Sequence, residues 1–220
     1  MFARIQSKSL HTDGNQDLAG RSLRSVYFCP EKLFNIQLPA WSLLLLLWLT
    51  ATACNLLKPY HIDDTAHLVI ARWILGHPFH PMQGALNWSG PLDPIFKTNQ
   101  PHLFFYLLAG WGGLFGFSEA STHALESVAT LACVFLLYRI AQTLVPRVAL
   151  WTTAVVILGP ALLVEQNLMV DVPLLATWLL FFSVILCDIE SPQQTRRAIV
   201  AGLACGAAFL IKYSSLVLIP

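Results

Sequence analysis

The chain has 220 residues and a formal net charge of +1, with 56% hydrophobic and 11% charged residues. Soluble domains contain roughly 45–50% apolar and about 25% charged residues, and the mean hydropathy here is +0.62. The composition therefore predicts a membrane protein rather than a soluble domain. The near-zero charge, with no basic stripe, also excludes a nucleic-acid partner because nothing would neutralise the phosphates.

The first predicted element is a polar tail over 1–37, which carries five basic residues. The run 38–57 follows, and it predicts a first membrane span because about 20 apolar residues cross a bilayer. Further apolar runs predict four more spans, at about 121–143, 148–165, 172–187 and 198–219. A chain threaded in this way is an all-α, polytopic membrane protein.

One apolar run, "HLFFYLLAGWGGLFGF" (102–117), is short and contains four glycines. If it does not span, nine Lys/Arg residues fall on the side of the tail and three fall on the other side, as the positive-inside rule expects. The nine are the five of the tail with Arg139, Arg147, Arg196 and Arg197; the three are Lys58, Arg72 and Lys97. We therefore predict a cytoplasmic tail and an interfacial helix at 102–117 within one long external loop, 58–120.

The same topology places four acidic residues on the external side: Asp63, Asp64, Glu165 and Asp171. This grouping indicates a functional site, although charges are also least costly outside a membrane. Asp63 and Asp64 begin a predicted helix whose apolar residues recur with a helical period until Gly76. One aspartate is enough to cap such a helix. The second is part of the cap, an ion ligand or a catalytic carboxylate.

Lys212 is a single lysine inside the last apolar run. A helix that enters the bilayer after Arg197 rises about 1.5 Å per residue, which places Lys212 roughly 22 Å along it, near the outer boundary. At that depth a lysine can bind a phosphate, or it can simply reach the lipid headgroups. Both interpretations remain open from the sequence.

The chain resembles glycosyltransferase family 39 of the GT-C superfamily, which includes lipid A aminoarabinose transferases and protein O-mannosyltransferases. The resemblance covers about 40–220 and rests on five segments in order: "YHIDD", "KTNQPHLFFYLLAGWGGLFGFSE", "LYRIAQTLVPRVAL", "MVDVPLLA" and "FLIKYSSLVLIP". It implies a GT-C-like transmembrane helix bundle with a long first external loop carrying interfacial helices. Because members of that family are longer, 38–220 is expected to be the N-terminal part of the catalytic domain.

The resemblance also implies site residues. Asp63 takes the place of the family's catalytic base, and Asp64 stands where the family usually has a glutamate. The segment "NQPHL" is similar to an N-x-P-P-L motif. The full set of candidate substrate-binding residues is Lys97, Gln100, His102, His123, Asp171 and Lys212. His123 stands where an arginine is common, so Lys97, His123 and Lys212 are the candidates for stabilising a departing phosphate.

The implied activity is transfer of a hexosyl or pentosyl group from a polyprenyl-phosphate donor to a hydroxyl of a lipid, glycan or protein acceptor. Such a transfer would be inverting and would occur on the periplasmic side of a bacterial inner membrane. A positioned carboxylate that removes the hydroxyl proton typically contributes about 10²–10⁴-fold. No cofactor is certain; a divalent cation, Mg²⁺ or Mn²⁺, held by Asp63, Asp64 and Asp171 stays open.

The alternative is a membrane transporter or lipid-handling protein whose external carboxylates bind a cation. Transporters often contain inverted repeats and helices broken at mid-membrane. No internal repeat is visible in this sequence, and the four acidic residues of the external side fall in predicted loops rather than in the middle of spans. These two features favour the enzyme.

Overall fold

The structure is a computed structural model that describes residues 39–87, 90–98, 100–164, 166–187 and 193–218. The predicted cytoplasmic tail and Glu165 lie outside the described residues. The described part is mostly helical. Its α-helices are α1 Ala40–Asn55, α2 Ile62–Gly76, α3 Leu103–Phe115, α4 Glu119–Leu144, α5 Ala149–Ile157, α6 Pro160–Leu163, α7 Asp171–Cys187 and α8 Gln194–Ile211.

A short antiparallel hairpin joins α2 to α3. Its strands are β1, Ala85–Asn87, and β2, Leu92–Pro94, with Leu86 opposite Asp93. Gly90 lies in the connection with φ of 115°, a conformation that glycine adopts readily. This hairpin was not predicted from the sequence, because its strands are only three residues long and show no alternation of apolar and polar residues that distinguishes them from a loop.

The described part contains one helix that is long and apolar enough to cross a membrane, α4. Its 26 residues extend about 39 Å, against about 30 Å of hydrocarbon. The helices α1 and α7 coincide with predicted spans but are shorter, at 16 and 17 residues. A single helix of this kind is weak support for a membrane protein by itself, and whether the other helices span remains a prediction.

Two of the predicted spans are not continuous helices. The run 148–165 breaks after α5, and α6 begins only at Pro160, because proline disfavours a helical residue before it and has no N–H to donate. In the run 198–219, α8 ends at Ile211. Lys212 is extended, with φ −152° and ψ 130°, and a 3₁₀ helix over Tyr213–Leu218 follows. The prediction that Lys212 lies within the last helix is therefore wrong.

Helix α4 is central to the packing of the described helices. The helix α4 lies against α1 and α7, α7 lies against α8, and α2 packs on α3. The predicted interfacial helix α3 buries Phe104, Phe105 and Leu108 in the core beneath α2. Its 13 residues extend only about 20 Å, too short for a span by themselves. Its position in the interface remains a prediction.

Candidate functional site

The two adjacent aspartates have different environments at the start of α2. Asp64 is fully buried, and its Oδ2 accepts a hydrogen bond of 2.7 Å from the His61 backbone N–H. Asp64 therefore belongs to the helix cap. The side chain of Asp63 is 32% exposed, and its Oδ2 lies 3.6 Å from His61 Nδ1. Asp63 is the carboxylate that a substrate could reach.

Tyr60 connects the start of α2 to the first turns of α4. Its hydroxyl lies 3.1 Å from both the Phe117 carbonyl oxygen and Thr122 Oγ1. The ring of Tyr60 meets the ring of His123 edge-on, with centroids 6.0 Å apart. His123 is 3% exposed, and neither ring nitrogen has a hydrogen-bond partner among the described residues. His123, a predicted phosphate contact, is therefore buried against Tyr60 and is not exposed at the protein surface.

Glu126 was missed by the sequence analysis and lies one helical turn beyond His123. It is 1% exposed, and both carboxylate oxygens lack a hydrogen-bond partner in the part of the chain that the structure describes. Asp64 and Asp171 are both near enough to interact with it electrostatically. Its position in the sequence could have identified it. An ionisable residue inside an apolar run is a functional candidate by default.

Asp171 and Lys212 are brought together, as the first residue of α7 and the residue after α8. Lys212 Nζ donates a hydrogen bond of 2.8 Å to Asp171 Oδ1, and both side chains are partly exposed. The segment after Lys212 is held by Trp178, whose Nε1 donates to Ser215 Oγ at 3.0 Å. Two of the predicted substrate-binding residues thus form one ion pair.

The remaining predicted substrate-binding residues, Lys97, Gln100 and His102, are not bonded to the aspartates at the start of α2. Lys97 makes a 2.6 Å ion pair with Asp93 on the hairpin. His102 precedes α3 and packs edge-on against Phe105, with ring centroids 5.8 Å apart. Burial lowers the pKa of His102 below its ordinary value. Across the described residues, no hydrogen bond or ion pair connects Lys97, Gln100 or His102 to the aspartates of α2.

The proposed metal ligands do not form a metal site. No group of three His, Cys, Asp or Glu side chains within the described ranges could hold a metal ion. Asp64 is used by the cap of α2, and Asp171 is paired with Lys212. The prediction of a divalent cation bound by Asp63, Asp64 and Asp171 therefore does not fit this arrangement of donors.

Helix dipoles explain part of the acidic grouping. The helices α2, α4 and α7 each carry an acidic residue in the first turn, where a negative charge is stabilised. Dipole compensation accounts for exposed acids such as Glu119. It does not account for Glu126, which lies seven residues after the start of α4. It also does not account for polar atoms that are buried without hydrogen-bond partners. Those atoms mark the part of the site that a structural role leaves unexplained.

Comparison with known proteins places the chain in a family. No curated protein and no solved structure gave a match. The sequence model of the family described as dolichyl-phosphate-mannose-protein mannosyltransferase matches residues 99–220, which is more than half of the chain. The matched part includes His123, Asp171 and Lys212, whereas Asp63 and Asp64 precede it. The chain therefore belongs to the dolichyl-phosphate-mannose-protein mannosyltransferase family and is a membrane glycosyltransferase of the GT-C type.

Proposed function

We propose that this protein transfers a sugar from a polyprenyl-phosphate donor to an acceptor hydroxyl at the extracytoplasmic face, with inversion and with Asp63 as general base. The observation that carries the proposal is the contrast between the two aspartates. Asp64 is buried in the cap, while Asp63 is held beside it with its carboxylate accessible. A general base must reach the proton that it removes, and only Asp63 of this pair meets that requirement.

The proposed reaction is a single displacement. Asp63 takes the proton of the acceptor hydroxyl, and the acceptor oxygen forms a bond to the anomeric carbon. The bond between that carbon and the phosphate oxygen breaks, and polyprenyl phosphate leaves with the electron pair. Attack opposite to the leaving group inverts the anomeric centre. No metal is given a step, because the donors suggested for one do not fit.

Lys212 is the proposed partner of the departing phosphate. Its ammonium group is partly exposed beside α7 and is held by Asp171. The donor's phosphate would share Lys212 with that carboxylate or displace it, and a charge-assisted contact of this kind favours the leaving group. His123 is buried and meets Tyr60 rather than the surface. We therefore assign His123 to the support of the α2–α4 junction instead of a direct phosphate contact.

The topology proposed here keeps the sequence-based assignment: tail 1–37 inside, 38–220 as the N-terminal part of the catalytic domain, and 58–120 outside. A cysteine placed at Ser118 tests it. Cys54 is exposed and is first replaced by serine to remove background labelling. An impermeant thiol reagent should label the cysteine at 118 in intact cells, with Arg147→Cys as the opposite-side control. Labelling at 118 only after permeabilisation would invert this part of the topology.

The activity itself is tested in cells. Mass spectrometry of envelope glycolipids and glycoproteins, with and without the gene, should reveal one class of molecule that loses a single sugar. Complementation with wild type should restore it, and complementation with Asp63→Asn at equal expression should not. A deletion that changes no glycan or glycolipid would contradict a glycosyltransferase with this donor.

The alternative, a transporter or lipid-handling protein with a cation site built from external carboxylates, has less support. It needs a group of acidic ligands, and no such group is assembled in the described part of the chain. Membership of a glycosyltransferase family favours the enzyme. The sugar and the acceptor class, whether lipid, glycan or protein, are to be identified by the same mass spectrometry.

A further inference from the structure

Residues 166–170, in the connection between α6 and α7, are anchored in the core of the fold. Leu168 and Val170 are buried, at 0% and 1% exposure. They belong to a core cluster that also contains Ile70 of α2 and Ile211 at the end of α8. The proposed base is on α2, and the proposed phosphate partner directly follows α8. The connection therefore shares one core with the two helices that carry or precede these groups.

His67 joins α2 to this connection by a direct hydrogen bond. Its Nδ1 donates to the Leu168 carbonyl oxygen at 2.7 Å. Because a carbonyl oxygen can only accept, Nδ1 carries the hydrogen. His67 is 6% exposed, and its ring packs against those of Phe104 and Phe105 on α3, with centroids 6.0 and 5.2 Å apart. The proposed displacement gives this buried histidine no step.

The hydrogen bond of His67 lies on a short path between the two parts of the proposed site. His67 follows Asp63 by four residues on α2, which is about one helical turn. Leu168 precedes Asp171 by three residues, and Asp171 Oδ1 accepts a hydrogen bond of 2.8 Å from Lys212 Nζ. One bond between a side chain and the backbone therefore links the helix of the proposed base to the pair proposed to hold the phosphate.

We propose that His67 is a positioning residue for sugar transfer, which fixes Asp63 relative to the Asp171–Lys212 pair; this inference rests on the proposed function. In a single displacement the base and the partner of the departing phosphate act on opposite sides of the anomeric carbon, so their spacing matters. A misplacement of about 1 Å can lower a rate about 10²-fold. A histidine that only filled the core would affect stability when replaced, but it would leave this spacing and kcat unchanged.

Two substitutions separate the hydrogen bond from the packing of the ring. His67→Asn keeps an N–H group near the position of Nδ1 but removes most of the ring, whereas His67→Leu keeps apolar bulk and removes the donor. The test measures transfer rate against donor concentration for both variants of the full chain. We expect His67→Leu to lower kcat about tenfold to a hundredfold with the KM for donor within about twofold of wild type. His67→Asn should keep kcat within about threefold of wild type, because the spacing is preserved.

Hydrogen–deuterium exchange tests the same bond without any substrate. The backbone amides of residues 167–174 should exchange faster in His67→Leu than in wild type or His67→Asn, because the connection opens more often when the bond is lost. Unchanged exchange in His67→Leu would overturn the proposal. Near-normal turnover by Asp63→Asn would instead contradict the proposed function, so the two failures are distinguishable.

Asn55→Ala is the matched control for a general loss of stability. Asn55 is buried at the end of α1, and its Nδ2 donates to the Leu162 and Leu163 carbonyl oxygens at 3.2 and 3.1 Å. It therefore holds the chain just before the same connection, but α1 carries no proposed site residue. Asn55→Ala should lower the unfolding midpoint and leave kcat near that of wild type.

Three kinetic results would also overturn the proposal. Wild-type kcat in His67→Leu would make His67 a core residue only. A larger loss of kcat in His67→Asn than in His67→Leu would assign the effect to the ring. Equal losses of kcat in Asn55→Ala and His67→Leu would assign it to general destabilisation. If His67→Leu fails to fold, His67→Gln replaces it: its amide is one methylene too long to reproduce Nδ1, so its kcat should be below that of His67→Asn, and equal kcat in the two would contradict the proposal.

Discussion

The two ends of α4 handle ionisable side chains in opposite ways. Near α2, His123 and Glu126 are almost fully buried, together with Asp64, and five of their polar atoms have no hydrogen-bond partner within the described residues. At the other end Arg139 is exposed, beside Arg196 of α8. At one end of α4 polar groups are buried, which is energetically unfavourable, whereas at the other end they are exposed.

This difference separates structural from functional explanations. An exposed arginine costs little, so its presence needs no more than orientation in the membrane or contact with lipid headgroups. A buried polar group without a partner costs about 1–3 kcal/mol. Glu126 and His123 therefore weaken the fold unless a proton, water or substrate group satisfies them, and such groups concentrate at functional sites.

Among the variants that distinguish the two ends of α4, the largest effect is expected for Glu126→Leu. Removing an unpartnered buried carboxyl should raise the free energy of unfolding by about 1–3 kcal/mol. Transfer should nevertheless slow by about tenfold to a hundredfold, because the proposed site would lose a carboxyl group that interacts electrostatically with Asp64 and Asp171. The measurements are kcat and the unfolding midpoint on the same preparation.

Glu119→Gln is the matched control for Glu126→Leu. Glu119 is an exposed acid in the first turn of the same helix. Its replacement should lower stability by a few tenths of a kcal/mol through the helix dipole, and kcat should change far less than in Glu126→Leu. A Glu126→Leu protein that is more stable and fully active would show that Glu126 has no role in transfer.

A smaller effect is expected for Lys212→Met. The ion pair with Asp171 is partly exposed, so its own contribution to stability is about 0.2–1 kcal/mol. If Lys212 also binds the donor phosphate, the KM for donor should rise about fivefold to tenfold, in line with one lost charge-assisted contact. Lys212→Arg should retain part of the affinity. The measurement is transfer rate against donor concentration.

Asp171→Asn separates the ion pair from phosphate binding. It breaks the same pair but leaves the ammonium group of Lys212 in place. We expect a stability loss similar to that of Lys212→Met, with a lower KM for donor because Lys212 is released. If both variants raise KM equally, the pair is structural and the assignment of Lys212 to the phosphate is wrong.

The smallest effect is expected for His102 and depends on pH. Burial lowers the pKa of His102 from its ordinary value of 6.5, so the folded protein favours the neutral ring. The stability linked to this ring is therefore present above about pH 6.5 and is lost as the pH falls towards the folded pKa. His102→Gln should lose less stability between pH 7.5 and 5.5 than wild type does. His80→Gln, at an exposed histidine, should behave like wild type.

Local sequence signals predicted several helices well. The apolar period after Asp63 with the stop at Gly76 predicted α2, and the apolar runs predicted α4 and α7 to within a few residues. The break before Pro160 could also have been predicted from the sequence, because proline disfavours a helical residue before it. These successes and this miss depend only on neighbours in the sequence.

Features that depend on distant residues could not be predicted from pattern. The end of α8 at Ile211 accompanies a contact between Lys212 and Asp171, 41 positions apart. Which of the two adjacent aspartates is buried depends on how the start of α2 is held beside Tyr60, whose hydroxyl contacts Thr122 of α4. The lack of partners for Glu126 also follows from the packing of several helices, so its charge was visible in the sequence and its environment was not.

We propose that Asp63 acts on the substrate while Asp64 holds the start of α2. The most direct test of this proposal measures transfer rate, donor binding and unfolding midpoint for Asp63→Asn and Asp64→Ala, with the donor that the envelope analysis identifies. We predict that Asp63→Asn lowers kcat by about 10²–10⁴-fold without changing donor binding, and that it lowers stability by no more than a few tenths of a kcal/mol through the helix dipole. Asp64→Ala should instead lower stability by about 0.5–2 kcal/mol and affect kcat much less. Near-normal turnover by Asp63→Asn, or a loss confined to Asp64→Ala, would contradict this assignment.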